Sequence, residues 1–455
     1  MKPKANYVNK MLLAILAILF PLFANAEKLQ IGGIWYNLIE KAKHAVVAHE
    51  DEAYGDSIFV VPSTIIHNGE IYNVTEVERL YLRGSNSISV ILSEGITHIG
   101  EDAFVGCRLK KIAIPESVES IGKSAFRFCA ELTTISIPEG IQSINELTFC
   151  YSGLVSISLP QSLKSVGEKA FYGCSKLTEI TIPKNVFLIR SSAFEDCSNL
   201  RVVNLPEKLN TISESVFKNC ASLVNVKLPQ QLSSIYDGAF RGCTSLSSIE
   251  IPYNVSRIND FSFEGCTNLT SVKFPENVSS IGRYAFKGCT NISSIAIPAR
   301  VRNIEYNAFS GCTKLDTLAI LGMPIIDDYA FSECPQLIDV FCLSEKVISA
   351  EDREFREDYN LDVDALVAEE HAFFNSDIKY ATLHVPSGSE KSYSNWKPWN
   401  KFGKIVPLTE ENIEWIYGHP QKDFPYLVLP IIVGLIFIII LIVMRPKKKT
   451  STEGL

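Results

Sequence analysis

Cysteine is the residue type with the widest chemical range in this chain, because a thiol can form a disulfide, bind a metal or act as a nucleophile. Ten of the 12 cysteines follow a phenylalanine by three residues, and most neighbours in this series are 23 residues apart. The repeat cysteines are Cys107, Cys129, Cys174, Cys197, Cys220, Cys243, Cys266, Cys289, Cys312 and Cys334. Such regular recurrence indicates a structural column rather than a single reactive centre.

The cysteines of this column could form disulfides, bind zinc or remain free thiols. Disulfides are the first hypothesis for many cysteines in an exported protein. Stacked turns, however, hold the side chains in parallel, and parallel Cβ directions do not give the geometry that a disulfide needs. Zinc lacks its usual Cys-x-x-Cys spacing, and no histidine shares the column. We therefore expect buried free thiols that pack as small hydrophobic side chains, with scattered disulfides as the alternative.

The remaining residues offer little for catalysis. His44 and His49, with the acidic residues 50–52 after them, come nearest to a metal site, but a spacing of five fits neither one helix face nor one strand face. The sequence has no Gly-x-Ser-x-Gly, no His-Glu-x-x-His and no phosphate-binding glycine loop. We predict a protein that is not an enzyme, with no catalytic residue, metal site or cofactor.

The cysteines lie in a repeat of the form I-G-x-x-A-F-x-x-C-x-x-L-x-x-I-x-I-P, as in the stretch 281–298. Alternation within L-x-x-I-x-I sends apolar side chains to one face and polar ones to the other, which is typical of a short strand with one solvated face. One strand per repeat cannot bury its own apolar face, so neighbouring repeats must stack into a parallel ladder. The period predicts a β-rich leucine-rich repeat solenoid of about eleven repeats of 22–24 residues.

The third repeat is one residue short. Phe149 keeps its place, Ser152 stands where a cysteine is expected, and Cys150 is displaced. We expect a local irregularity there.

The solvated face of the ladder is the best candidate for partner binding, because solenoids use such extended faces to bind large partners. The middle strands vary most in charge and hydrogen-bonding groups, which would give discrimination between ligands. The candidate residues are Glu179, Thr181, Asn204, Asn225, Lys227, Ser248, Glu250, Ser271 and Lys273. Ordinary solvated β positions are the alternative at each of them.

Both ends of the chain predict export and membrane attachment. Residues 1–26 contain three early lysines, then an apolar run, then Ala24-Asn25-Ala26, which is the pattern of a secretory signal peptide. An apolar stretch of 19 residues from Tyr426 to Met444 is close to the roughly 20 residues that a membrane-spanning helix needs. The basic tail 445–455 is expected in the cytoplasm, so the solenoid lies outside it, in the periplasm or at the cell surface. A sorting tail that is later removed is the alternative.

The charge excludes one class of partner. The formal net charge is −8, and no basic stripe lies outside the termini. Binding to DNA or RNA needs such a stripe, so we predict no nucleic-acid partner.

The repeat and its flanks resemble the BspA-like leucine-rich repeat family of bacterial, Bacteroidetes-type surface proteins over residues 31–407. The stretches 33–38 and 69–75 are similar to the N-terminal strand cap of that family, and 381–389 is similar to its last repeat and C-terminal cap. The resemblance implies binding or adhesion outside the cytoplasm, with a protein or glycan as ligand.

The expected organisation follows from these patterns. We predict a membrane-anchored binding protein of the cell envelope, with a structural spacer or periplasmic interaction scaffold without a host ligand as the alternative. The predicted segments are a signal peptide at 1–26, an N-terminal β cap at 27–85, the repeat solenoid at 86–342, an acidic, partly helical insertion at 343–371, the last repeat and C-terminal cap at 372–408, a juxtamembrane linker at 409–425, a transmembrane helix at 426–444 and a basic tail at 445–455.

Overall fold

The computed structural model describes residues 27–48, 58–80, 88–348 and 365–418. The chain divides into two units, one ending at Pro407 and one beginning at Leu408. The predicted signal peptide, transmembrane helix and basic tail lie outside the described residues, as does the centre of the predicted acidic insertion. In the described part of the chain, no helix combines the length and the apolar character needed to cross a membrane.

The first unit begins with antiparallel strands. Glu27–Ile31 pairs with Ile34–Ile39 across Gly32 and Gly33, which both have positive φ, as a two-residue hairpin turn requires. Ile34–Ile39 then pairs with the third strand, and its alternate side chains are buried. The elements of this region are Glu27–Ile31, Ile34–Ile39, the 3₁₀ helix Glu40–Ala42, His44–Val47 and Thr64–His67.

A series of short strands, which we call the first ladder, forms the main sheet surface. Its neighbouring strands pair in parallel within five hydrogen-bonded runs. Alternate residues point inward and outward, so that Ile135 is buried between exposed Thr134 and Ser136. The first ladder comprises Ile58–Val61, Ile88–Leu92, Leu109–Ala113, Thr134–Ser136, Ser156–Ser158, Glu179–Thr181, Val202–Asn204, Asn225–Val226, Ser248–Glu250, Ser271–Lys273, Ser294–Ile297, Thr317–Ile320, Asp339–Cys342, Thr382–Val385 and Lys404–Pro407.

A second ladder, mostly of two-residue strands, follows one strand of the first ladder in each turn. It comprises Glu70–Val77, His98–Ile99, Ser120–Ile121, Ser143–Ile144, Ser165–Val166, Leu188–Ile189, Thr211–Ile212, Ser234–Ile235, Arg257–Ile258, Ser280–Ile281, Asn303–Ile304, Ile325–Ile326 and Leu366–Ala368, with Val347–Ile348 beside the last. The solenoid has about 13 turns, not the eleven that the repeat pattern predicts. The sequence count is too low because the terminal turns lack the Phe-x-x-Cys pattern.

After the second ladder, each turn runs through a segment that alternates right- and left-handed residues. Its amide groups bond alternately within the turn and to the next turn, as Phe104 N does to Ala125 O at 2.8 Å. Left-handed residues recur two positions before and two positions after the buried phenylalanine of each turn, as at Asp102 and Gly106. We call these the first and second left-handed positions.

The buried phenylalanines form one continuous column from Phe104 to Phe373. Successive ring centroids lie 5.1 to 5.7 Å apart, and the rings are nearly parallel. This separation exceeds the strand spacing of about 4.8 Å, so the rings stack with an offset, which their quadrupoles favour. Each ring between the two ends of the column is held between the equivalent rings of both neighbouring turns.

Three turns are one residue short, from Phe104 to Phe126, from Phe149 to Phe171 and from Phe309 to Phe331, and in the last two a glycine takes up the difference. A Cβ on Gly153 would lie 2.1 Å from Ala130 O, and one on Gly322 would lie 2.3 Å from Ala299 O. The shortened chain therefore passes directly against the backbone of the preceding turn. Ser152 remains in the cysteine column, so the irregularity expected in the third repeat does not reach the core.

The C-terminal end of the first unit closes the phenylalanine column. The helix α1, Glu390–Asn395, carries Tyr393, which is buried and donates a hydrogen bond to Ser344 O at 2.8 Å. Trp399 and Phe402 pack edge-on against Phe373 at 5.7 and 5.5 Å. The 3₁₀ helices Ile378–Tyr380 and Trp399–Lys401 complete this end.

The second unit is described only over residues 408–418. It contains the helix α2, Glu410–Gly418, inside the predicted juxtamembrane linker. Thr409 Oγ1 accepts a hydrogen bond from Asn412 N at 3.2 Å, which caps the start of the helix.

Candidate binding surface

The outward side chains of the middle strands form a polar surface, which we call the outer face. Parallel pairing sets their register: Glu179 lies beside Val202, and Val202 lies beside Asn225. Thr181 lies beside Asn204 in the same way. Strands about 4.8 Å apart thus bring side chains from distant parts of the sequence into straight rows.

The predicted candidates lie on this face. Lys273 is half-buried, and the other eight are exposed: Glu179, Thr181, Asn204, Asn225, Lys227, Ser248, Glu250 and Ser271. Ser248 pairs with Ser271 and Glu250 pairs with Lys273 in the next strand, so these four form one local group.

Some polar groups of the outer face already bond to their neighbours. Asn204 Nδ2 donates to Thr181 Oγ1 at 3.1 Å, and Ser247 Oγ donates to Asn225 Oδ1 at 3.2 Å. Each of these groups keeps further hydrogen-bonding capacity. The neighbours orient the amide side chains, so a ligand would meet donors and acceptors in fixed directions.

The structure adds an exposed apolar residue that the sequence patterns do not identify. Val202 is 47 % exposed and stands between Glu179 and Asn225. It follows Arg201 and precedes Val203. Because two valines are adjacent, the alternation of apolar and polar residues does not show which of them points outward. The charged and amide groups of the outer face therefore surround an apolar spot.

The outer rows change character towards both ends of the ladder. Near the N-terminal end, Val60 and Ile91 are paired and are 49 % and 44 % exposed. Near the C-terminal end, Ala319 and Phe341 are buried, and the Phe341 ring stacks on His384 at 4.5 Å. The exposed polar part of the face thus extends through the middle turns and also includes earlier strands such as Thr134–Ser136 and Ser156–Ser158.

The repeat cysteines do not contribute to this surface. All twelve cysteines are free and buried. From Cys129 onwards, each repeat thiol donates to the carbonyl oxygen of the phenylalanine in the preceding turn, over 3.0 to 3.5 Å. Ser152 Oγ lies 3.3 Å from Cys174 Sγ within the same column.

Burial also controls the chemistry of these thiols. It raises the pKa of the Cys174 and Cys266 thiols to about 12, and it raises the pKa of Cys220 well above the ordinary value. A protonated, buried thiol is a poor nucleophile and a poor metal ligand. The column therefore acts as a line of hydrogen-bond donors inside the solenoid.

Elsewhere in the described part of the chain, titratable side chains form ion pairs, as Lys397 and Lys401 do with Glu370. Across the residues that the structure describes, no group of three or more His, Cys, Asp or Glu residues is arranged to hold a metal ion. His44 is half-buried in the strand His44–Val47, and His49 with its acidic neighbours lies outside the described residues.

A family model described as a BspA type leucine-rich repeat region matches this chain. Its matches are five overlapping stretches, 71–176, 119–247, 164–292, 233–362 and 279–395. They extend without a gap from residue 71 to residue 395. No catalytic domain is indicated by these matches.

Solved structures of bacterial proteins are similar to the chain. A leucine-rich repeat protein from Bacteroides ovatus is 23 % identical, with 84 % of this chain and 100 % of that chain covered and a TM-score of 0.50. The pneumococcal vaccine antigen PcpA is 18 % identical, with 84 % and 99 % covered and a TM-score of 0.53. A leucine rich cell surface protein from Faecalibacterium prausnitzii is 23 % identical, with 86 % and 98 % covered and a TM-score of 0.45. The first two likenesses show a shared fold.

Among curated proteins, no sequence matches the chain significantly.

Proposed function

Because the chain belongs to the BspA-type leucine-rich repeat family, we propose that it is a membrane-anchored binding protein whose outer face recognises a protein or glycan outside the cytoplasm. The proposal contains no catalytic step. It assigns the binding role to the middle turns of the first ladder.

One observation carries the assignment of the site. Exposed polar and charged side chains stand in register on consecutive strands from Glu179 to Lys273, around the exposed apolar Val202. Interfaces combine apolar contact with a surrounding polar rim. Glu179, Lys227 and Glu250 supply opposite charges along the face, and opposite charges steer and orient a partner.

The location rests on the termini. The signal-peptide pattern at 1–26 and the apolar stretch at 426–444 predict export of the solenoid and retention by one membrane span. The basic residues after 444 favour a cytoplasmic tail.

A purely structural role is the second candidate, and the unbroken phenylalanine column favours it. A spacer needs a stiff, regular interior, and the column from Phe104 to Phe373 supplies one. Such a spacer would have no saturable ligand on the outer face.

Binding to immobilised extracellular-matrix proteins and to a glycan array would distinguish the two roles. The test uses the full-length chain, wild type and a variant with Glu179→Ala, Asn225→Ala, Lys227→Ala and Glu250→Ala. We expect saturable binding to one protein or glycan, and weakening by about a thousandfold in the variant, because four polar contacts of about 1 kcal/mol each sum to about 4 kcal/mol.

The matched control variant is Lys184→Ala with Glu207→Ala, which changes two exposed charges outside the strands of the first ladder. Equal weakening in the control would argue against the outer face as the site. Absence of saturable binding by the wild type would favour the spacer.

Protease treatment of intact cells, followed by an antibody against the solenoid, tests the location. Loss of the solenoid while inner-membrane and periplasmic control proteins survive would support surface exposure. Protection until the outer membrane is opened would exclude adhesion and direct the search to periplasmic partners.

A further inference from the structure

A row of aromatic side chains runs along the turn segments of the C-terminal half, away from the strands of the first ladder. It consists of Phe261, Tyr284, Tyr306, Tyr329 and Phe374, and we call it the aromatic row. Successive ring centroids are 5.0, 5.6, 5.6 and 5.5 Å apart. Tyr306 is 38 % exposed, Phe374 is 47 % exposed, and the other three rings are half-buried.

The fold does not require these rings. Phe261, Tyr284 and Tyr329 occupy the first left-handed position, with φ of 57°, 57° and 61°, which disfavours bulky side chains. Equivalent turns carry Gly238 and Asn307 there, with φ of 60° and 56°. Small or amide side chains therefore close the same turn without a ring.

The interior does not gain from the rings either, since the phenylalanine column already fills the core of these turns. The left-handed conformation is required at this position in each turn from Asp102 to Tyr329, but a bulky ring there is not. A bulky side chain held in a strained backbone conformation that packing does not need is a feature of functional sites. The aromatic row is therefore best explained by contact with something outside the chain.

Charges beside the row are largely paired with one another, apart from Lys287, whose Nζ lies 5.2 Å from the centre of the Tyr284 ring. Arg257 Nη2 lies 3.0 Å from Glu305 Oε1, Arg283 Nε lies 3.7 Å from Glu305 Oε2, and His371 Nδ1 lies 3.3 Å from Asp328 Oδ1. Paired charges of both signs give little net field. Such a surface suits an uncharged ligand better than an anionic or cationic one.

The dimensions favour a linear ligand. The row is one side chain wide and spans four steps of about 4.8 Å, or roughly 20 Å. A globular partner covers about 800 Å² on each side of a stable interface, which is much more than a single row of partly exposed rings offers.

An extended peptide is the less suitable linear ligand. Peptides that add to a sheet bond to free main-chain groups at its edge. Here Phe261 N donates to Arg283 O at 2.9 Å and Tyr284 N donates to Tyr306 O at 3.0 Å, so these main-chain groups are already used between turns.

We propose that the aromatic row is a binding site for a linear, neutral glycan. Sugar C–H groups carry partial positive charge and favour the negative faces of aromatic rings, while the tyrosine hydroxyls and the Asn307 amide can bond to sugar hydroxyls. Phe261 and Tyr284 stack face to face with their planes 6° apart, whereas Tyr306 is turned by 74° and 73° from its two tyrosine neighbours, so the row presents rings in two orientations. The rise of one turn is close to the length of one pyranose unit. This site does not depend on the function proposed for the outer face.

The test is titration of the full-length chain, purified in a detergent without a sugar headgroup, with neutral β-linked gluco-, manno- and galacto-hexasaccharides. An anionic hexasaccharide of galacturonate and an uncharged extended peptide are titrated as the competing ligand classes. The test variant is Tyr284→Asn with Tyr329→Asn, because asparagine already occupies this position at Asn307. The control is Tyr253→Asn, since Tyr253 is an exposed tyrosine next to the first ladder.

We expect binding of at least one neutral hexasaccharide, weakened by about tenfold or more in the test variant, because each ring contact is comparable to an aromatic pair. The control and the outer-face variant should bind the sugar as the wild type does, and thermal unfolding should show that all variants are folded. The proposal is overturned if no neutral hexasaccharide binds, if the folded test variant binds as well as the wild type, or if only an anionic glycan or a peptide binds.

Discussion

The interior of the solenoid and its turn surface share one repeat but use it in opposite ways. The interior places a phenylalanine in the same stack from Phe104 to Phe373, whereas the first left-handed position changes from Ser215 to Gly238 to Phe261 in successive turns. A repeated interior side chain contacts its equivalents, so the whole stack restricts each member. A surface side chain meets solvent, so it is free to vary. Stability is therefore collective in this molecule, whereas the surface can differ from one turn to the next.

Alkaline pH should give the largest effect on the interior. The ten most buried thiols have a raised pKa, so they stay protonated in the folded chain while unfolded thiols ionise above about pH 8.5. Stability is fully present below that pH and is lost as the pH rises towards the folded pKa, by up to about 1.4 kcal/mol per thiol per pH unit. Summed over the column, the loss is on the order of 10 kcal/mol per pH unit.

Urea unfolding midpoints measured at several pH values between about 8 and 10 test this expectation. A variant with Cys220→Ser and Cys243→Ser keeps hydroxyl donors, as Ser152 already does, but removes two titrating groups. Its stability should fall less steeply with pH. Equal slopes for the variant and the wild type would show that other groups cause the alkaline loss.

Replacing one ring of the interior stack should give the next largest effect. Phe240→Ala removes a fully buried ring that stacks on Phe217 and Phe263, and such a substitution lowers the free energy of unfolding by about 3–5 kcal/mol. The outer-face substitution Glu250→Ala should change it by less than about 0.5 kcal/mol. If urea unfolding shows similar losses of the free energy of unfolding for Phe240→Ala and Glu250→Ala, interior and surface do not differ in this way.

The short turn should be sensitive to a single methyl group. Gly153→Ala places a Cβ 2.1 Å from Ala130 O, whereas Gly140→Ala places one 3.2 Å from Val118 O. We expect Gly153→Ala to lower the free energy of unfolding by about 1–3 kcal/mol, and Gly140→Ala to have a smaller effect. If thermal unfolding shows equal effects, the backbone at Gly153 has more room than the structure indicates.

The smallest effect is expected at the aromatic row. Tyr284→Asn relieves a left-handed bulky residue, worth about 1–2 kcal/mol, but loses ring stacking worth about 0.5–1.5 kcal/mol. Because the two terms oppose each other, the free energy of unfolding should change by less than about 1 kcal/mol. A large loss in urea unfolding would assign Tyr284 to the core instead of the surface.

The repeat unit could be predicted from the sequence because its signal recurs every 23 residues. Alternation in stretches such as Leu269, Val272 and Phe274 fixes which side chains point inward, so the polar rows of the outer face follow directly. Val202 escapes this reasoning because it stands next to a second valine.

Other features depend on contacts that periodicity does not encode. The cysteine pattern predicts a small buried side chain, but the bond from Cys197 Sγ to Phe171 O depends on the rise between turns. The sequence does not reveal the aromatic row, because Tyr306 comes one residue before the repeat position that Tyr284 and Tyr329 occupy. The segment before His371 also interrupts the 23-residue spacing. The repeat pattern does not identify the strand Ile58–Val61 as part of a solenoid turn, because no Phe-x-x-Cys follows it.

The glycines that close two of the three short turns also bear on how the gene can change in length. Successive phenylalanines are 22 residues apart between Phe149 and Phe171 and 23 apart between Phe171 and Phe194, yet their rings stay stacked. Each turn contacts only its neighbours, so unequal recombination between repeated stretches of DNA can add or delete one whole unit and leave every remaining ring with an equivalent partner. In two of the three short turns the lost residue is accommodated because the chain passes its neighbour without a side chain, at Gly153 and Gly322; the turn from Phe104 to Phe126 is equally short with Arg108 at the place of Gly153.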